Sequence, residues 1–265
     1  MLDTFKENNA SYAAIYTKLL KCILVLLISY TTYASEKEMP NLKQMVWPFD
    51  GIFGKVDKQA AQRGFQVYKE VCGACHGLYN LSYRHLKDIG FSEAEIKEIA
   101  RSYSIKDGPN DQGEMFERQA LPSDKFIRPY PNEQAARAAN NGAYPPDLSL
   151  IIKARTNGAN YIYSLLTSYV DPPAHFKLTA GLYFNPYFTN SQIAMPPPLT
   201  DGQVTYIDGT VDTVDQMARD VTIFLQWAAE PEMGHRKSIG LKVIFFLVIF
   251  TIFFYVSKNR IWSKI

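Results

Sequence analysis

Cysteine is the scarcest informative residue in this chain: 265 residues hold three, Cys22, Cys72 and Cys75. A structural zinc site needs two further soft ligands close to a Cys-x-x-Cys pair, and the third cysteine lies far off in an apolar N-terminal run. Arginine is absent from the first 34 residues, which argues against an Arg-rich mitochondrial transit peptide. There is no internal repeat and no Gly-rich phosphate loop. No basic stripe marks a nucleic-acid partner, so none is expected.

What the chain does have is Cys72-Gly73-Ala74-Cys75-His76. Two thiols one turn apart can each add to a porphyrin vinyl group, and the adjacent imidazole reaches the iron, so this pattern predicts one covalently attached c-type haem. A thioredoxin-like dithiol would not require the histidine. At 47 % apolar and 14 % aromatic residues, the composition can bury a core and is not that of a disordered chain.

Two apolar runs frame the molecule. The run 22–30, preceded by Lys18 and Lys21 and followed by Thr32 and Ala34 at the −3 and −1 positions, reads as a signal peptide cleaved after Ala34; an uncleaved N-terminal anchor is the alternative. The second run, 239–256, would rise about 27 Å as a helix against a bilayer core of about 30 Å, and its six aromatic residues leave no polar face. Basic residues flank both of its ends, so the exported haem motif decides the orientation. The expected organisation is therefore a signal peptide at 1–34, an exported haem domain at 35–235, a transmembrane anchor at 236–257 and a short cytoplasmic tail at 258–265. That corresponds to a single-pass protein of a bacterial inner membrane with its haem domain in the periplasm. The formal charge of 35–235 is −5, with 19 basic and 24 acidic residues, which suits a basic partner.

Within the exported part, 57–75 reads as a helix leading into the haem motif, with Ala61, Phe65, Tyr68 and Cys72 on one face. Gly64 inside it predicts a close packing partner, for which the helical stripe from Thr213 is the candidate; Thr213 and Gln216 form a possible capping box there and Pro231 ends the helix. A helix capped by Ser92 is expected over 91–105, a surface excursion over 107–131, a short helix over 132–140, and further helix over 148–169 broken at Gly158. From 172 to 198 the chain reads as loop, with Phe176, Tyr183, Phe184, Tyr187 and Phe188 able to wall a haem pocket or to fill a core. The fold class is mainly α: a cytochrome c-like helical haem domain with long loop insertions and one C-terminal membrane helix.

His76 supplies one axial ligand, and the residues alone leave the other open. Met217 sits in an apolar stripe, Met233 beside the membrane run and Met115 in a charged stretch. Met195 precedes Pro196-Pro197-Pro198, which bars helix and stiffens the loop. His85 and His175 remain rivals for a bis-His site.

Several separate motifs resemble the cytochrome c1 family, the haem subunits of quinol:cytochrome c oxidoreductase, or bc1, complexes. They are Arg63 to Tyr68 running into Cys72–His76, Tyr83-Arg84-His85-Leu86, Asp107-Gly108-Pro109-Asn110, Asn140-Asn141-Gly142-Ala143 with Pro145-Pro146-Asp147-Leu148, Gly181 to Phe188, Ile193-Ala194-Met195 and Trp227 to Glu232. The resemblance runs from about Trp47 to the C-terminus. It implies that Met195 is the second axial ligand and that Arg155 contacts a haem propionate. It also implies electron transfer from a Rieske iron–sulfur protein to a cytochrome c, an anchor packed on cytochrome b within the bilayer, and a dimeric complex, with the chain acting as a subunit of quinol–cytochrome-c reductase and doing no bond chemistry itself. Some bacterial relatives clamp the loop before the methionine with a cysteine pair that this chain lacks. Two other functions would need different features: a haem enzyme or gas sensor needs a displaceable sixth ligand, and a simple tethered shuttle needs no excursion at 77–131.

Overall fold

The computed structural model describes residues 40–263; the proposed signal peptide and Cys22 lie outside them. Two helices organise the haem domain, α1 (Lys58–Glu70) and the long α5 (Val214–Ala229). They cross where the sequence has Gly64: a Cβ there would stand 2.1 Å from the Asp220 carbonyl oxygen and 2.7 Å from Phe224 Cβ. Only glycine lets the two backbones approach this closely. Arg63, one residue away, makes the crossing specific. Its Nε and Nη2 donate to the two carboxylate oxygens of fully buried Asp220 at 2.8 and 3.0 Å, and Nη1 donates to Asp208 at 2.9 Å. Around this joint Phe65, Tyr68, Phe126 and Phe224 meet in tilted and edge-to-face pairs 5.7 to 6.3 Å apart.

Smaller elements cover the rest. In α2 (Glu93–Arg101), Ser92 and Glu95 form a capping box, as the sequence signals. The chain then leaves helix earlier than the expected 105: β1 (Ser104–Asp107) pairs antiparallel with β2 (Phe116–Gln119), so part of the excursion is a hairpin. Arg118 holds it by pairing with both Asp107 and Asp124. α3 (Glu133–Ala139) is the expected short helix, and the Asn132 side chain caps it.

Two expectations change in the second half. Residues 148–157 form turns, because Leu148 N donates to Gly77 O and Ser149 N to the Asp147 side chain, which divert the backbone from a helical ladder. Helix begins only at α4 (Gly158–Leu166), where Gly158 is a start rather than a break; a Cβ on it would lie 1.7 Å from Ile152 O. The loop 172–198 contains a small pairing of β3 (Tyr183–Phe184) with β4 (Gln192–Ile193). After Pro231 the chain enters α6 (Met233–Trp262), which is longer than the apolar run and has its apolar side chains exposed on all sides from 239 to 256. Helix with little strand makes the fold mainly α.

Candidate haem site

The haem motif does not continue α1. Val71, at φ −120° and ψ −65°, ends the helix, and Cys72–Ala74 form one 3-10 turn in which the amides of Cys75 and His76 both donate to Cys72 O, at 3.1 and 2.9 Å. The turn is pulled back onto the helix by Tyr68, whose hydroxyl donates to His76 O at 3.0 Å.

His76 is oriented from the other side. Its Nδ1 lies 2.8 Å from Pro146 O, a group that only accepts, so Nδ1 carries the proton and Nε2 keeps its lone pair for a metal. Burial holds the imidazole pKa below its ordinary value, against opposing pulls from the Pro146 carbonyl and the Asp147 charge. The ring is thus in its neutral, ligating form near pH 7. Segments 76–80 and 146–149 are laced together further. Leu148 N donates to Gly77 O at 2.8 Å, Tyr79 N to Asp147 Oδ2 at 2.8 Å, and Asn80 N to Ser149 Oγ at 3.1 Å.

The thiols fit a haem better than a redox dithiol. Desolvation pushes the Cys72 thiol up to about 12, whereas a dithiol exchange centre depresses one thiol to expose a thiolate. Tyr130 OH approaches Cys75 Sγ at 3.9 Å. Beside Cys75 opens a cavity of about 270 Å³, walled by Tyr79, Arg128, Tyr130, Tyr144 and Asp147 among others. Among the described residues no group of three or more His, Cys, Asp and Glu is placed to hold a bare metal ion.

Met195 is half-buried and packs against the main core, with its carbonyl held by Tyr169 OH at 3.1 Å. That hydroxyl bond stiffens the loop in a chain without the cysteine clamp. Arg155 is exposed, and its Nη1 donates to Ala154 O at 3.0 Å. Its charge opposes the rise that burial imposes on the Tyr161 hydroxyl, while Tyr161 in turn adds to the upward shift of Tyr169. Arg155, Tyr161, Tyr169 and Met195 are therefore linked pairwise in space, Arg155 to Tyr161, Tyr161 to Tyr169 and Tyr169 to Met195. The rivals are engaged elsewhere or exposed: His85 Nδ1 accepts from Ser82 N at 3.0 Å within its own 3-10 turn, and His175 lies on the surface. Met217 is fully buried core, Met233 is also buried, and Met115 is exposed. Of the aromatic residues at 176–188, Phe176 and Phe184 pair edge to face at 4.7 Å and Phe188 packs on the core.

Tyr68, Pro146, Tyr161 and Tyr169 escaped the sequence reading as supports. Pro146 was legible only as part of a motif, Tyr68 only as an apolar position, and Tyr161 and Tyr169 not at all. The excursion holds five acids that differ in their pairing. Asp107 and Asp124 are spent on Arg118, leaving Asp111, Glu114 and Glu117 without an ion pair among the described residues. Lys125 and Arg128 meanwhile sandwich Tyr79 at 3.9 and 3.8 Å beside the cavity.

Residues 47–265 match the model of the Cytochrome C1 family. The chain is 50 % identical over 224 residues to a mitochondrial heme protein of Solanum tuberosum named cytochrome c1-2, covering 83 % of this chain and 86 % of the relative. It is 46 % identical over 258 residues to cytochrome c1 of Rhodospirillum rubrum, covering 91 % and 94 %. Against a Bradyrhizobium diazoefficiens protein named cytochrome b/c1 it is 47 % identical over 239 residues, covering 82 % of this chain and 35 % of that one.

Proposed function

The chain belongs to the cytochrome c1 family, and on that premise we propose that it relays single electrons in a bc1 complex, from the Rieske iron–sulfur protein to a soluble or membrane-tethered cytochrome c. Its cofactor is one covalently bound haem c. When bound, the haem supplies a reversible one-electron iron couple.

The protein's part is attachment, ligation and tuning. Cys72 and Cys75 would carry the two thioether links, and His76 through Nε2 and Met195 through its sulfur would hold the iron. Arg155 pairs with a propionate, as its planar guanidinium suits, and Tyr161 beside it restricts where that guanidinium can go. The Pro146 carbonyl keeps His76 in one tautomer and one orientation through the redox cycle, so little reorganisation accompanies each electron. Quinol chemistry belongs to cytochrome b, against which α6 packs in the bilayer. The haem domain stands in the periplasm of a bacterial cell after removal of residues 1–34, in a dimeric complex.

The observation that carries this reading is the His76 to Pro146 bond, which prepares an imidazole for metal beside two positioned thiols. Solubilising membranes in mild detergent and capturing this chain by a tag tests the assignment to a complex. Co-purification of a dihaem cytochrome b and a Rieske protein is the expected result; recovery of the haem-loaded chain alone would favour a tethered shuttle.

A further inference from the structure

Lys237 lies two residues before the apolar span, about 3 Å along the helix axis from its start. Its ammonium is not left to solvent. Nζ donates to Phe49 O and Gly51 O at 2.7 Å each and to Gly54 O at 3.3 Å, so all three ammonium protons go to one loop. That loop is built as a tight, tied turn. Trp47 N donates to Asp50 Oδ2 at 2.9 Å, Asp50 N to Trp47 O at 3.0 Å, and Lys55 N to Pro48 O at 2.9 Å. Its root is buried, with Trp47 stacked on Phe49 at 5.5 Å and Trp47 Nε1 bound to Asn160 Oδ1. The backbone leaves no slack, since Gly51 has φ +70° and a Cβ on Gly54 would stand 2.0 Å from Asp50 O.

At the tip of this turn two consecutive large apolar side chains face outward, Ile52 at 68 % and Phe53 at 78 % exposure. An exposed apolar pair in a mobile loop can fold away; this pair is fixed outward by its own backbone. We propose that Ile52 and Phe53 form a second membrane contact, inserting into the lipid interface of the leaflet on the haem-domain side, with Lys237 clamping the loop to the top of the anchor.

Continuity with the span names lipid as the occupant. The same residue that enters α6 fixes the height of the loop, so its tip lies level with the boundary between headgroups and acyl chains, where aromatic and aliphatic side chains partition. Exposed Lys55 follows the tip and suits anionic headgroups. One helix alone leaves a domain free to swing about its axis; two contacts at one depth set its tilt. The inference rests on reading α6 as the membrane span.

The test uses the haem-loaded full chain with Cys22→Ser, in which Cys72 and Cys75 are consumed as thioethers, reconstituted into vesicles of phosphatidylcholine and phosphatidylglycerol. An environment-sensitive fluorophore is attached in turn at Ile52→Cys, at Phe246→Cys in mid-span, and at Val211→Cys. Val211 is an exposed control near the end of α5 remote from the anchor. Lipids carrying a quencher near the headgroup should quench the residue 52 probe at least threefold more than the residue 211 probe, and lipids carrying a quencher deep in the acyl chain should quench the residue 246 probe. Lys237→Met should bring it toward the residue 211 level while leaving the mid-span probe unchanged. A residue 52 probe that only aqueous iodide quenches, while residue 246 stays lipid-quenched, overturns the inference. If residue 246 is itself not lipid-quenched, the anchor reading fails and takes the inference with it. Lipid quenching at residue 52 that vanishes when the chain is assembled with its partners would give the surface to a protein subunit and overturn the proposal too.

Discussion

At the scale of single residues, the site depends as much on what holds the ligands as on the ligands. Pro146 O fixes the His76 tautomer, Tyr68 OH fixes the turn behind it, and Tyr169 OH fixes the Met195 backbone. Replacing Met195 by leucine conserves volume and leaves both thiols and His76 in place. The haem should therefore remain covalently attached while its low-spin methionine spectrum is lost and its midpoint potential falls, because a soft, electron-accepting ligand is gone. Optical spectroscopy and redox titration of Met195→Leu read both; an unchanged spectrum and potential would move the sixth ligand elsewhere, with His175 the next to examine. Cys72, Cys75 and His76 stand out as the proposed attachment residues because covalent attachment demands those residue types at one spacing. For Met195 the sequence offers less, since the Pro run marks a stiff loop but does not say what it faces. Tyr68, Tyr161 and Tyr169 were not legible as supports. Their targets are backbone carbonyls or neighbouring side chains brought close only by the fold, and a carbonyl has no residue type.

At the scale of elements, glycines and caps carried the most information. Gly64 announced a close crossing, Ser92 and Thr213 announced helix starts, and the structure has each of them. The crossing gives a sharp expectation. A methyl added at Gly64 meets backbone, which cannot swing aside, so Gly64→Ala should cost about 3 kcal/mol, the upper part of the usual overpacking range. For a domain of this size that corresponds to a fall in melting temperature of roughly 6 to 12 °C. Gly234→Ala, a helical glycine with nothing within 4 Å of its Cβ position, should be neutral or slightly stabilising. Thermal unfolding of the two variants followed by circular dichroism checks the pair, and equal melting points would mean the helices do not meet at this residue. The hairpin of β1 and β2 and the turns at 148–157 were misread for a common reason. Both are fixed by side-chain and backbone partners outside the local pattern: Arg118 ties Asp107 to Asp124 across the hairpin, and Leu148 reaches Gly77, far away in sequence, in place of a helical ladder.

At the scale of the whole molecule, the charge pattern and the long exposed helix say how the protein is used. The −5 charge of 35–235 should still attract a basic cytochrome c, although Arg118 neutralises part of the excursion and Lys125 and Arg128 stand beside the cavity. The second-order rate of electron transfer to such a partner should fall as the Debye length shrinks from about 30 Å at 0.01 M salt to about 10 Å at 0.1 M. Stopped-flow mixing across that range checks it, and a flat rate would point to an apolar dock or a tethered acceptor. The long C-terminal helix was legible in the sequence, because a bilayer imposes a length and an all-round apolar surface that few soluble helices share. The central claim is that this chain relays single electrons between a quinol-driven donor and a cytochrome c. Its most direct test is a single-turnover experiment on the purified complex, following this chain's haem after quinol is added and again after oxidised cytochrome c is added. The account predicts that the haem takes up one electron, that removing the Rieske protein abolishes this uptake, and that the acceptor fully reoxidises it. A haem that stays oxidised while the acceptor is reduced, or that binds carbon monoxide when reduced, would contradict it.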